Sequence, residues 1–153
     1  MSGEPADAVV VRPVTPADFP QWAPLWAGYN TFYERVLPDA VSQTTWTRFF
    51  DETEPVHALV AEQNGQLLGL VHYLFHRATA MIEPNCYLAD LFTSQAARGK
   101  GVGELLIEAV YDKARLAGCS RVYWQTHETN AVAQVLYNKV AERSGFIVYR
   151  KTL

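Results

Sequence analysis

The chain has 153 residues, enough for one domain with a sizeable core and too few for two ordinary ones. At 49% hydrophobic it is not a disordered chain, and no apolar run approaches the span of a membrane helix. A net charge of −3 argues against general nucleic-acid binding, and a mildly acidic surface suits cationic substrates.

A single domain is expected over 1–153, with 1–7 as a flexible N-terminus. That stretch is acidic and polar, which is not the pattern of a secretory signal. Cys86 and Cys119 lack metal-ligand spacing, so no metal site is expected. Both thiols are expected to stay reduced, which points to the cytoplasm. Residues 8–12 are valine-rich and read as a first strand. Thr15-Pro16-Ala17-Asp18 reads as a helix start, with Thr15 as cap and Pro16 at the first helical position. That helix is expected to reach about Tyr29, with Pro20 and Pro24 making its first turns irregular. Trp22 and Trp26 are candidate core residues. Tyr29, Tyr33 and Glu34 gather near the helix end, where they can line a substrate pocket. Beyond Pro38, Ser42 is expected to cap a short helix through Phe50, with Trp46 and Phe49 in the core. Residues 56–62 form a strand, Asn64-Gly65 suits a hairpin turn, and 67–76 form the returning strand. His57, His72 and His76 on these strands read as structural or surface histidines. The loop 77–84 carries Glu83.

Residues 87–93 read as a buried strand leading to Arg98-Gly99-Lys100-Gly101-Val102-Gly103. Val102, Leu105, Leu106, Ala109, Val110, Ala114 and Ala117 then recur at helical steps, and Gly118 closes the helix. Glycines let a ligand approach backbone N–H groups, and the first N–H groups of a helix lack partners. With the helix dipole and two basic side chains, such a turn suits phosphate. The nucleotide P-loop pattern fails because no Ser or Thr follows Lys100 in register. The dinucleotide fingerprint fails because Glu104 or Leu106 falls where its last glycine belongs. The spacing present is Arg98-x-x-Gly101-x-Gly103. Residues 121–126 then read as a strand, 128–130 as a polar helix start, and Ala133, Leu136, Tyr137 and Val140 as its apolar steps. A final strand is expected at 145–149. The order β-α-α-β-β-β-α-β-α-β predicts an α+β fold, one mixed sheet with helices on both faces.

The glycine turn resembles the acetyl-CoA pyrophosphate loop of the GCN5-related N-acetyltransferase (GNAT) family. Asn130-x-x-Ala133-x-x-x-Tyr137, followed by Gly145-Phe146, resembles the family's second signature. The element order matches over nearly the whole chain. The segment from Leu136 to Phe146 is similar to small yeast-type members acting on histone tails, polyamines or D-amino acids. The resemblance implies an acetyl-CoA-dependent N-acetyltransferase acting on a primary amine of a small molecule or peptide, by direct transfer and without a covalent acyl-enzyme. Acetyl-CoA is the implied co-substrate. It would lie along Leu91, Phe92 and Thr93, and its pyrophosphate would meet Arg98, Gly99, Lys100, Gly101, Val102 and Gly103. Asn130 would touch the cofactor arm, a backbone N–H near Leu91 would serve the oxyanion, and Tyr137 would protonate the thiolate. Asp90 and Glu83 are the candidates for the base. Some polyamine-acetylating members carry two adjacent acids before this bulge, and here the first is Ala89. The gap from Tyr137 to Gly145-Phe146 is also longer than the common pattern. A shortened end leaves 146–149 as a candidate edge strand, from which a homodimer is expected. The alternative is a non-catalytic acetyl-CoA-binding sensor or regulatory module. No membrane partner is expected.

Overall fold

The turn at Asn64-Gly65 sets the register of the sheet. Both residues are left-handed, with φ of 53° and 79°, as a two-residue hairpin demands. They join β2 (Val56–Gln63) to β3 (Gln66–His76). The computed structural model describes residues 8–153, so the segment 1–7, expected to be flexible, lies outside the described residues. β1 (Val10–Pro13) pairs antiparallel with β2, and β4 (Asn85–Thr93) pairs antiparallel with β3. β5 (Arg121–Tyr123) pairs parallel with β4, which requires the helical crossover between them. The spatial order is β1-β2-β3-β4-β5.

Strand alternation divides the core in two. Val60 and Leu70 point to one face, where they meet Trp22, Leu25, Trp26 and Tyr29 of α1 (Phe19–Phe32). Trp46 and Phe49, from α2 (Asp39–Arg48) and its end, close over that cluster half-buried. Leu59, Ala61 and Val71 point to the other face, against Leu106, Ile107 and Val110 of α3 (Val102–Leu116). Leu136, Tyr137 and Val140 of α4 (Ala131–Val140) pack on the same side. The expected α+β mixed sheet with helices on both faces is what forms. Arg12 ties β1 to the start of α1, placing two guanidinium nitrogens 2.8 and 2.9 Å from Asp18. Asp18 also accepts from the backbone N–H and hydroxyl of Thr15, at 2.7 and 3.2 Å. These donors hold its carboxyl below the usual carboxylate range, with Arg12 the largest cause.

Several boundaries differ from the sequence reading. α2 starts at Asp39, three residues before Ser42, because the extended Pro38 (φ −56°, ψ 145°) already turns the chain. The buried row of α3 is Val102, Leu106, Ile107, Val110 and Ala114, so Leu105 and Ala117 face water instead. β5 ends at Tyr123, where it parts from β4. No strand forms over 145–149; residues 141–153 are exposed and carry no regular structure.

β4 contains an irregularity that matters for chemistry. His72 faces Asp90 while its neighbour Tyr73 faces Leu88, so Ala89 is an extra residue. Such a bulge reverses the facing of everything after it. Cys86 and Leu88 point to the α3 side, yet beyond the bulge it is Leu91 that points there. Phe92 packs on the α1 side, and Asp90 meets His72 there.

Candidate acetyl-transfer site

The parallel β4 and β5 pair over only three positions, Asn85 with Arg121, Cys86 with Val122 and Tyr87 with Tyr123. Beyond Tyr87 the two strands part, which leaves the edge of β4 from Leu88 to Thr93 open on that side. The N-terminus of α3 stands at the mouth of this opening. Its N-cap is Gly101, left-handed at φ 74° and offering no side chain as a cap. The first backbone bond into the helix is Leu105 N–H to the Gly101 carbonyl, at 3.1 Å. Among the described residues, the N–H groups of Val102, Gly103 and Glu104 therefore find no backbone acceptor. Arg98, Gly99 and Lys100 precede them, all exposed, with Gly99 also left-handed at φ 82°. Free N–H groups, a helix dipole and two cations together make a phosphate cradle. At Gly103 a Cβ would come within 3.3 Å of a Leu136 methyl, so the missing side chain lets α4 approach. Lys139 adds an ion pair to Glu104 at 2.7 Å.

One wall of the opening holds Asp90. Trp22 Nε1–H donates to His72 Nε2 at 3.1 Å, so that nitrogen must carry a lone pair. The ring proton then sits on Nδ1, 3.0 Å from Asp90 Oδ2, to which it donates. A buried histidine thus holds one carboxylate oxygen, and the Tyr29 phenol also bonds to Asp90. Trp26 and Phe49 pack against the same imidazole at ring centroid distances of 5.0 and 4.8 Å. Tyr29 lies beside Asp90; burial pushes its phenol up, and the carboxylate pushes it further. The phenol of Tyr87 is raised by the same two causes, burial first. Tyr33 lies tilted against Tyr29 at 4.9 Å and reaches His127 at 6.0 Å. Arg35 lies over both tyrosine rings, at 5.6 and 5.4 Å.

The facing wall holds Tyr137. Its ring meets Trp124 edge-on at 5.4 Å. Burial, with a smaller effect of Tyr33, raises its pKa. The phenol is therefore protonated across the neutral range. Among the described residues its hydroxyl has no hydrogen-bond partner. Asn130 caps α4 through its backbone, its carbonyl accepting from Gln134 N–H at 3.2 Å, and its side chain points to Thr126 at 3.4 Å.

Asp90, Tyr29, Tyr33 and Tyr137 thus come together around one opening. Leu91, Phe92 and Thr93 lie on its floor, with the Phe92 ring turned back against α1 and its backbone left at the strand. Glu34 sits just past α1, exposed and left-handed at φ 56°, with no ion pair among the described residues. Glu83 is exposed in the loop before β4. Five strand steps separate Asn85 from Asp90, about 17 Å at the usual strand rise. The two candidate bases thus belong to opposite ends of one strand. His72 was read as structural, and nothing local marks it: its partners lie 50 and 18 residues away.

The match to known proteins follows the same residues. A family model described as the acetyltransferase (GNAT) family matches residues 22–141. The chain belongs to the GNAT family. As a GNAT protein it is an acetyl-CoA-dependent N-acetyltransferase, with acetyl-CoA as its co-substrate. It is similar to the D-amino-acid N-acetyltransferase HPA3 of Saccharomyces cerevisiae, 38% identical over 147 residues covering 95% of this chain and 91% of the relative. It is also similar to the uncharacterised N-acetyltransferase YhfO of Bacillus subtilis, 30% identical over 91% of this chain and 94% of that one. Among solved structures, the aminoglycoside N-acetyltransferase AAC(6')-Iy in complex with CoA shares the GNAT fold, with a TM-score of 0.83 over 99% of both chains at 15% identity.

Proposed function

We propose that the chain acetylates the primary amine of a small molecule by direct transfer, with Asp90 as base and Tyr137 as acid. One observation carries this reading. A carboxylate fixed by His72 and a free phenol stand on opposite walls of the opening between β4 and β5. An alkylammonium has a pKa of roughly 10.4, so only about one amine in a thousand is neutral at pH 7. Asp90 attracts the cation, which gives one proton to solvent before the neutral amine attacks. As the C–N bond forms, nitrogen becomes acidic and the carboxylate takes its proton. An exposed backbone N–H near Leu91 stabilises the oxyanion. Tyr137 gives its proton to the leaving thiolate and regains one from solvent. The phosphate cradle from Arg98 to Gly103 holds the carrier, and Asn130 borders its arm. Glu83, exposed and far along the strand, is the weaker base. A non-catalytic sensor would need neither the fixed Asp90 nor the unpartnered Tyr137 hydroxyl.

Arg35 sharpens the acceptor. It stands over Tyr29 and Tyr33, without an acidic partner among the described residues, next to the wall that holds Asp90. An amino acid fits this pair, its ammonium toward Asp90 and its carboxylate toward Arg35. The yeast relative's description as a D-amino-acid N-acetyltransferase supports the same class. Glu34 stands next along the chain and is available to a second amine. Thiol release measured over amino acids of both hands, polyamines and lysine peptides tests the reading. Arg35→Gln is expected to raise KM for amino acids at least about tenfold, the worth of a charge-assisted contact. KM for simple alkylamines should not move. An equal effect on both classes would end the assignment.

The cytoplasm is the proposed compartment, because Cys86 and Cys119 are both free thiols. A homodimer is the proposed assembly, supported by the exposed apolar residues from Phe146 to Tyr149.

A further inference from the structure

At one end of the sheet β1 stops before β2 does. Pro13 of β1 faces Leu59, and among the described residues no strand flanks residues 56–58 of β2 on their outer side. Val14 N–H follows there, donating to the Ala58 carbonyl at 3.3 Å. Leu59 points to the α3 face, so His57, two residues earlier, points the same way. Tyr73 lies opposite His57 in the register and belongs to the same face. The two rings stack at 5.2 Å and 28°. Lys113, near the end of α3, joins them on the wall of a cavity of about 230 Å³. Pro13, Val14, Phe49 and Leu59 give that cavity its apolar walls.

His57, Tyr73 and Lys113 are the polar side chains of this wall. Among the described residues none of them has a hydrogen-bond or ion-pair partner for its side chain. Tyr73 is 5% exposed, yet its hydroxyl is not closed off from solvent. A buried donor of this kind normally has an acceptor. Burial pushes the phenol up to about 12, with a smaller effect of Cys86, so it keeps its proton in the neutral range. Burial lowers the pKa of His57, so its ring is neutral near pH 7 and adds one N–H. Lys113 supplies the one charge, and no carboxylate lines the cavity. Donors around a single cation suit an anion of one charge; a phosphate dianion would find one cation for two charges. The apolar walls call for an apolar body. The volume lies below the roughly 300–1,000 Å³ of pockets for larger ligands, so that body is small. We propose that this cavity binds a small monocarboxylate with an apolar body, its carboxylate at Lys113 and the Tyr73 hydroxyl. The site lies on the α3 side of the sheet, whereas Asp90 meets His72 on the α1 side. It is therefore distinct from the acceptor cleft and does not rest on the acceptor assigned above.

The test uses the full chain, with benzoate as the probe and NMR of the four histidine rings as the readout. His57→Gln identifies the His57 signal. Benzoate is expected to move that signal saturably at millimolar concentration or below. Benzyl alcohol, which keeps the body and lacks the charge, should not do so, nor should inorganic phosphate. Lys113→Gln should weaken benzoate binding at least about tenfold, the worth of a charge-assisted contact. Lys113→Met, which keeps the stem, serves as a second variant if the first does not fold. Tyr73→Phe should weaken binding about threefold or more, with Tm near wild type, because it removes an unbonded hydroxyl. Arg35→Gln should bind benzoate as the wild type does. A His57 signal that never saturates would overturn the site. Unchanged affinity in the folded Lys113 variant, or equal binding of benzyl alcohol or phosphate, would overturn the carboxylate assignment. Loss of binding in Arg35→Gln would place benzoate in the acceptor cleft and would also overturn the site.

Discussion

The two walls of the opening are built on different principles. On the α1 side the carboxylate proposed as base is held by a chain of hydrogen bonds: Trp22 fixes His72, and His72 fixes Asp90. On the α4 side Tyr137 is set by packing alone, edge-on against Trp124, with its hydroxyl uncommitted. The contrast suits the roles proposed for the two groups. A base that has to meet a cation needs a fixed orientation, and hydrogen bonds supply direction. An acid that waits for a thiolate must keep its proton and a free donor, and burial supplies the first without using the second.

The hardest blow to the contrast is Asp90→Asn. It keeps the shape and one acceptor oxygen but removes the charge and the basic oxygen. The expected loss in kcat/KM is about a hundred- to ten-thousand-fold, the usual weight of a positioned base. Acetyl-CoA affinity, read from the ligand-dependent rise in Tm, should stay near wild type. If turnover survives, the base lies elsewhere, and Glu83→Gln becomes the next variant to measure.

Tyr137→Phe strikes the other wall more gently. Only an unbonded hydroxyl is removed, so Tm should hold while kcat falls at least about tenfold. Because the pKa of Tyr137 is raised, the wild-type acid stays protonated beyond the ordinary tyrosine range. An alkaline limb that begins at the ordinary tyrosine value and disappears in Tyr137→Phe would contradict that placement. Normal turnover in the variant would reduce Tyr137 to a packing residue.

The smallest effect, and the most discriminating, belongs to His72. His72→Asn can still donate to Asp90 through its amide, and kcat is expected to fall about threefold or less. His72→Leu leaves the buried Trp22 Nε1–H without a partner and takes one donor from Asp90. The unpaired buried group costs about 1–3 kcal/mol, which a Tm measurement reads directly. Its kcat should fall about tenfold because the carboxylate is no longer held. Two variants with equal kcat would show that His72 supports the fold and not the base.

Much of this was legible in the sequence because it is local. The Asn64-Gly65 hairpin, the strand–glycine turn–helix unit around Gly101 and the cap-to-tyrosine spacing of α4 all depend on neighbours a few residues apart. The facing of Asp90 did not show, because the extra residue Ala89 breaks the strand's alternation and nothing in the string marks a bulge. His72 looked like one histidine among three, because Trp22 and Asp90 reach it only through tertiary packing. The strand expected at 145–149 had the right composition, but a strand also needs a partner, and among the described residues none is present. Periodicity alone does not separate Ile107 from Leu105; the direction from which the sheet lies under α3 buries the first and exposes the second.

Gly103 has one more consequence. It stands at the phosphate cradle, and its bare backbone meets Leu136, the residue next to Tyr137. The proposed anchor for one end of the acyl carrier and the proposed acid for its other end are thus linked where the Gly103 backbone meets the Leu136 side chain. That contact works as the zero mark of a ruler. Adding even a methyl at 103 would make the Leu136 side chain give by a few tenths of an ångström. On the proposed roles, the reach of the carrier is measured from a glycine.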